Sequence, residues 1–444
     1  MNFRTFFTRL VLPLCGLAVA SSTCAQTTKS ISAPSGAFEV QEWAIFIADP
    51  NQPRANAINV FKTTLPEDAN SRRVNDDDND QKSPCPSGVI RFLGQPQDVD
   101  KSLVDVLMTI TGGDFIGNWP KAKKQPNRLL WDNLAITIDP TGLFQVGEKH
   151  WFKQLRAGDS FYLKKDRGTE RFLLYDCEFN FQVPIKISSS TDAGVDLVNI
   201  SATALHDVTV YKPQGDAWRV GSIDEIKGAE GAKKPPAPAT RSAGPASRPT
   251  TEAAFTAAPP SAPSTKSTTR VATSGPKPTS APTTSVSAQI TYAGEPAKSA
   301  SEAVNGWKEK LAAAGLAPTD FDVITQILAK HALDPKRLTL VYRMDPSEMD
   351  RIMPLEIVPQ PKKITRVGLM IVRNIDPAIM QEIDQLITQL GDEEWSKRES
   401  AEKRLKELGL AAKPKLEQAV KNKDLEIVYR AERLMQVFAK PPGQ

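Results

Sequence analysis

Lys233-Lys-Pro-Pro-Ala-Pro-Ala-Thr-Arg241-Ser-Ala-Gly-Pro-Ala-Ser-Arg248 opens a stretch, residues 233–288, in which 43 of 56 positions are Pro, Ala, Ser or Thr and Phe255 is the one aromatic. Such a composition buries too little apolar surface to offset the entropy of ordering it. It predicts an extended, disordered linker spanning 229–289, and it divides the 444-residue chain into a module at 36–228 and a second from 290 to 440. The same stretch reshapes the charge. The chain carries a net +4, but residues 1–25 contribute +2 and residues 233–288 contribute +6, so the remainder sums to −4. A nucleic-acid binder carries its basic excess on a folded face, so nucleic acid is not expected as a partner.

Upstream of the linker, Arg4 and Arg9 precede the apolar run Leu10-Val-Leu-Pro-Leu-Cys-Gly-Leu-Ala-Val-Ala20. The run is too short to span a bilayer and has the form of a signal-peptide core, with Ala20 or Ala25 as the cleavage position. Residues 1–25 therefore read as a signal peptide, the mature chain as periplasmic or extracellular, and no later stretch as an integral membrane span. Ser21-Ser22-Thr23 before Cys24 match a lipidation motif poorly. After cleavage Cys85 and Cys177 remain, and two thiols in one exported domain form a candidate disulfide.

Residues 36–228 read as all-β. Short runs rich in β-branched and aromatic residues, among them Glu39–Ile47, Ala57–Lys62, Val89–Leu93, Leu103–Ile110, Arg171–Phe181 and Trp218–Ile223, are separated by turn residues, with Asp166-Arg-Gly168 as a hairpin turn. Many short strands without intervening amphipathic helices predict a sandwich or barrel. Within them, Val195-Asp-Leu-Val-Asn-Ile-Ser-Ala-Thr-Ala-Leu-His-Asp-Val-Thr-Val-Tyr211 resembles the immunoglobulin-like repeats of bacterial cell-surface proteins. In those, a strand ending in Asn leads through a polar turn into Leu-x-x-Val-x-Val, here Asn199, Leu205, Val208 and Val210. The resemblance implies an immunoglobulin-like sandwich with no catalytic activity.

Residues 290–377 mix types: helices at 301–314 and 320–332, then strands at Leu338–Arg343, Leu355–Val358 and Ile364–Arg373. From 378 to 440 the chain is helical. Ile379, Ile383, Leu386, Ile387 and Leu390 line one face of a helix, and Ile427, Ala431, Leu434, Met435 and Phe438 line one face of another. Asp424, Ile427 and Ala431, and again Glu394, Arg398 and Ala401, fall at spacings that resemble HEAT-type helical repeats. The final stripe is expected to close on Ala401, Leu405, Leu416 and Val420. That leaves Ile379, Ile383, Leu386 and Leu390 as the candidate partner surface.

Motifs for catalysis fail on inspection. Asn75-Asp-Asp-Asp-Asn-Asp80 suits a hard cation, but Gln81 and Ser87 stand where a calcium loop needs Gly and Glu. Gly158-Asp159-Ser160 is similar to the nucleophile block of one esterase class but runs into a strand, with no Asp-x-x-His anywhere. His150, His206 and His331 are the only histidines and lack metal-ligand spacing. No catalytic, cofactor or metal residues are assigned. Of seven Trp, residues 43, 119, 131, 151 and 218 lie before the linker. In a sandwich they are core residues, and exposed they would be a glycan platform. The sequence thus reads as an exported, non-enzymatic scaffold or adaptor binding a protein partner in the cell envelope, with carbohydrate or cell-wall binding as the alternative.

Overall fold

The computed structural model describes residues 37–50, 54–55, 88–95, 102–147, 150–166, 168–229, 285–409 and 412–439. The leader, Ala57–Lys62, the acidic run 75–80, Cys85 and most of the linker lie outside these residues. In chain order the first strands are β1 (Phe38–Ala48), β2 (Arg54–Ala55), β3 (Gly88–Gly94), β4 (Leu103–Thr109), β5 (Gly113–Trp119), β6 (Lys123–Gln125) and β7 (Arg128–Thr137). A one-turn helix α1 (Phe152–Leu155) follows, then β8 (Tyr162–Lys165), β9 (Gly168–Glu170), β10 (Leu173–Asn180), β11 (Ile185–Ser190), β12 (Gly194–Asn199), β13 (Leu205–Gln214) and β14 (Ala217–Ile226). Beyond the linker come β15 (Val286–Thr291), α2 (Ala300–Val304), α3 (Trp307–Ala313), α4 (Phe321–His331), β16 (Thr339–Met344), α5 (Pro346–Ile352), β17 (Leu355–Val358) and β18 (Lys363–Val372). Among the described residues the last elements are four helices: α6 (Pro377–Gln389), α7 (Trp395–Leu408), α8 (Lys413–Ala419) and α9 (Leu425–Ala439).

The N-terminal region is largely β-sheet and the C-terminal end helical, as the sequence leads one to expect. The division into two independent modules is corrected. A nine-stranded sheet runs β14-β13-β16-β18-β1 and on through β2, β3 and β10 to β5. Its centre is a parallel pair, β1 on β18, in register from Glu39 opposite Lys363 to Ala48 opposite Val372. On its other edge β1 runs antiparallel to β3. Two smaller sheets are also shared across the linker: β17 completes β4-β7-β8-β9, and β15 completes β11-β12. Because β15 begins at Val286, the expected linker end at 289 is too late.

The alternation along the central strands explains the layers. Val40, Ala44, Phe46 and Ala48 of β1 join Met370 and Val372 of β18 in a core that also holds Val106 and Trp131 of one small sheet and Ile187 and Leu197 of the other. Trp43, Ile45 and Ile47, with Val367, Leu369 and Ile371, pack on the opposite face against Trp151, Trp307, Leu311, Ile324 and Leu328. The large sheet is therefore sandwiched between two small sheets and a layer of helices. Strands covered on both faces read as nearly unbroken apolar runs, which is what Trp43–Ala48 and Val367–Val372 are. A simple immunoglobulin-like sandwich has neither this parallel pair nor this helical layer.

Local signals hold where they are local. The β8–β9 hairpin turns at Asp166, whose φ is 51°, the left-handed geometry such turns require. Asn199 ends β12, and its side-chain amide donates to the Thr203 and Lys227 carbonyls at 2.9 and 3.0 Å while its oxygen accepts from the Ser201 amide. That fastens the corner where the chain leaves one sheet and enters another. Between the expected strands 338–343 and 355–358 the structure adds helix α5, whose N-cap Asp345 accepts from the Ser347 amide and whose first turn holds Pro346, a start signal written in the sequence.

Candidate functional site

Ile379, Ile383 and Leu390, proposed from sequence as a partner surface, are buried and Leu386 is half-buried. They form the core of the four-helix unit together with Ala401, Leu405, Leu408, Leu416, Ala431 and Leu434. The expected surface is corrected to a core. The stripe Ile427–Leu434 does close on Ala401, Leu405 and Leu416, and the same apolar cluster takes in Ile379, Ile383 and Leu390 of the α6 segment, because a unit this small cannot keep a second apolar face dry elsewhere.

Polar side chains add to the seams. Glu402 of α7 accepts from Arg430 at 2.7 Å and from Arg433 at 2.6 Å, and Arg398 of α7 lies 3.2 Å from Glu426. The partners advance together along both helices, so α7 and α9 run parallel and their N-termini share one end of the unit. At that end Trp395, Leu425 and Tyr429 are 63%, 81% and 60% exposed. Sequence reasoning passed over them. The signal was available: Trp395 falls off the Ala401–Leu405–Leu408 stripe, and Leu425 and Tyr429 fall on the side of α9 away from Ile427, Ala431 and Leu434.

Ser160 and the three histidines, singled out in the sequence, each have protein partners, while the acidic run 75–80 lies outside the described residues. Ser160 is buried; its hydroxyl accepts from Arg91 Nη1 at 3.1 Å and donates to the Arg171 carbonyl at 3.3 Å. The Arg91 guanidinium also grips Asp320 with two bonds of 2.7 and 2.6 Å, both side chains 2% exposed. This pair welds β3 to the turn before α4, 229 positions away. A second weld lies under β1, where Glu42 accepts from Tyr175 and from Arg366, 324 positions away. His150 Nδ1 accepts from the Phe152 amide at the start of α1, and His206 Nε2 stands 3.4 Å from Asp345. His331 is pushed down to about 3 by burial and by the Arg373 guanidinium. The three histidines sit in different elements with different partners, and no group of three metal-ligating side chains occurs among the described residues.

A cleft of about 340 Å³ opens beside β6, β7 and β8, lined by Lys121, Ala122, Lys123, Asp132, Asn133, Lys165 and Asp166. Asp132 receives Lys165 at 2.7 Å and Lys123 at 2.9 Å. Burial alone would raise its pKa, but the two ammonium groups outweigh it and hold the carboxyl at about 2. Ionised at any physiological pH and bound on both oxygens, Asp132 is a counter-ion and not a proton carrier.

Cys177 is a buried thiol 3.7 Å from the Met353 sulfur, and the disulfide expected with Cys85 involves a residue outside the described ones. Burial, aided by neighbouring Asp176, pushes it well above the ordinary thiol range, which makes it a poor nucleophile. Trp43, Trp119, Trp131 and Trp151 are core residues, and Trp218 is half-buried. Among the described residues no helix is long and apolar enough to cross a membrane.

No protein-family model matches the chain, and no curated protein is similar to it. Among solved structures, the yeast delta-COP-I mu-homology domain complexed with a Dsl1 WxWxV peptide is similar at 8% identity and a TM-score of 0.24. The match covers 77% of this chain and 97% of that one, a likeness too slight to assign a fold or a function.

Proposed function

We propose that the chain is an exported, non-enzymatic scaffold or adaptor that engages a protein partner in the cell envelope through its C-terminal helical unit. The observation that carries this reading is the Trp395, Leu425 and Tyr429 end of the α7–α9 pair. It carries three large side chains in water, on a unit whose own apolar core is formed without them. Aromatic residues so placed are the usual anchors of protein interfaces. The competing glycan reading requires exposed tryptophans on the β body, and four of its five are in the core. In this reading the helical unit is a short HEAT-type array and the β12–β13 corner an immunoglobulin-like piece of the body that carries it.

The test is in-cell cross-linking of the full-length protein followed by recovery from the envelope fraction. A Trp395→Ser/Tyr429→Ser variant should lose a partner that Lys121→Glu, in the β-side cleft, retains. Being exposed, the two changes should leave stability within about 0.5 kcal/mol of wild type. Identical partners for wild type and the double variant would refute the assignment. So would recovery of the mature protein from the cytoplasm alone.

A further inference from the structure

The four-helix unit meets the β body in an unusual way. Its core shares no residue with the two cores of the body. Ile375 is the last residue of the body's apolar cluster, Asp376 is the N-cap of α6, and Pro377 opens the helix. The covalent join is thus a single cap residue, preceded by Asn374 with a φ of 54°. Elsewhere α6 touches β11, but no shared hydrophobic cluster fastens the two parts.

Among the described residues, a guanidinium reaches across with hydrogen bonds. Arg337, in the loop between α4 and β16, donates from Nη2 to the carbonyls of Glu407 and Leu408 at 3.0 and 3.1 Å. These are the last carbonyls of α7, which ends at Gly409 with a φ of 61°. Such carbonyls lack partners inside the helix and carry the negative end of its dipole, so a cation that forks onto two of them is well matched. Arg337 is itself aimed: Nη1 donates to the Asn374 side chain at 2.8 Å, and Asn374 in turn donates to Asp49 at 2.7 Å. The clamp therefore ties together the end of β1, the join itself and the C-terminus of α7.

We propose that the helical unit is a hinged arm, pivoting at Asn374–Asp376 and latched against the β body by Arg337. Closed, the latch gives the unit one orientation. Open, the arm turns as a rigid body, because its own core moves with it. The energetic reason is the contrast in fastening. Few-residue hinges at element ends absorb such rotations, and a handful of polar bonds at a water-accessible seam is released far more readily than a shared core. The inference stands on the join and the clamp, and does not depend on what the arm binds.

Distances measured by electron spin resonance test it on the full-length protein, with ketone-reactive spin labels on p-acetylphenylalanine at Ser222 and Gln436, both exposed. Wild type should give a single narrow distance distribution. Arg337→Ala should lose it, giving a broad or multiple distribution while the helix signal in circular dichroism is kept. Arg337→Lys should fall between, since a compact ammonium keeps the charge but lacks the planar fork that sets Nη1 on Asn374 and Nη2 on the two carbonyls. If Arg337→Ala does not accumulate, Arg337→Gln carries the same test. An unchanged narrow distribution in the variant would overturn the latch, and a broad one in wild type would overturn the closed state.

Discussion

The β body and the helical unit bury apolar residues by opposite strategies. In the body, neighbours are drawn from opposite sides of the linker: β1 lies on β18 and β12 on β15, and the buried ion pairs join residues 229 and 324 positions apart. In the helical unit all twelve core residues lie between Ile379 and Leu434, and the ion pairs join helices adjacent in sequence or in the next turn of the array. The first is one cooperative object made from two stretches of chain, and the second is a local object attached to it. The contrast shows that a long linker in a sequence marks a loop-sized interruption, not of necessity a border between separately folding parts.

The strongest way to break this comparison is to cut the chain. Residues 37–229 alone leave β1, β4, β12 and β13 without partners on one edge, so the fragment should show no cooperative unfolding transition. Full-length protein nicked between 230 and 284 should instead elute as one species in gel filtration. If fragment 37–229 folds with a native-like melting curve, the shared-sheet account is wrong.

Next in size is the buried weld. Arg91→Ala or Asp320→Ala strands a charge in the core, which costs about 3–5 kcal/mol. Since Asp320 belongs to the C-terminal stretch and Arg91 to the N-terminal one, either change should lower the denaturation midpoint of the whole body. A loss confined to one half, seen by amide exchange, would separate the two.

Leu434→Ala probes the other side. Leu434 is buried, and removing its side chain should cost about 2–5 kcal/mol. Amide exchange should show that loss in α6–α9 alone, with β1 and β18 unaffected. An effect that spreads to the central sheet would mean that the two objects unfold together.

The smallest expected effect is on pH dependence. Asp176 is buried, one of its carboxyl oxygens has no hydrogen-bond partner, and burial raises its pKa well above the ordinary carboxyl value. With the folded pKa raised, the folded state holds the proton more tightly. The resulting stabilisation is complete below the unfolded pKa of about 4 and is lost as pH rises towards the folded value. Asp176→Asn keeps the acceptor for the Cys177 amide and carries no charge. Denaturant titrations should find the variant more stable than wild type at pH 7, with the gap closing below pH 4. A constant gap would place the effect in packing rather than ionisation.

Much of the local structure was legible in the sequence, because the forces that make it are local. The 3.6-residue spacing of Ile427, Ala431 and Leu434 marks a one-faced helix in any surroundings. Asp166 and Asn199 mark turns through their own conformational preferences. The β-branched and aromatic residues at 39–47 and 364–373 mark strands. The site was less legible. Whether Ile379–Leu390 faces water or a neighbour depends on which helices pack on it. Trp395 is conspicuous only once the rest of its unit is seen to be full.

What tertiary structure alone decided is pairing. A backbone ladder is made of the same N–H and C=O groups whatever the side chains, so nothing in Trp43–Ala48 names Val367–Val372 as its partner. The choice is made by the sum of two covered faces, a buried Glu42–Arg366 pair and an Arg91–Asp320 pair that exist only after distant segments meet. Side-chain periodicity is a property of a dozen residues, whereas register across more than three hundred is a property of the whole fold.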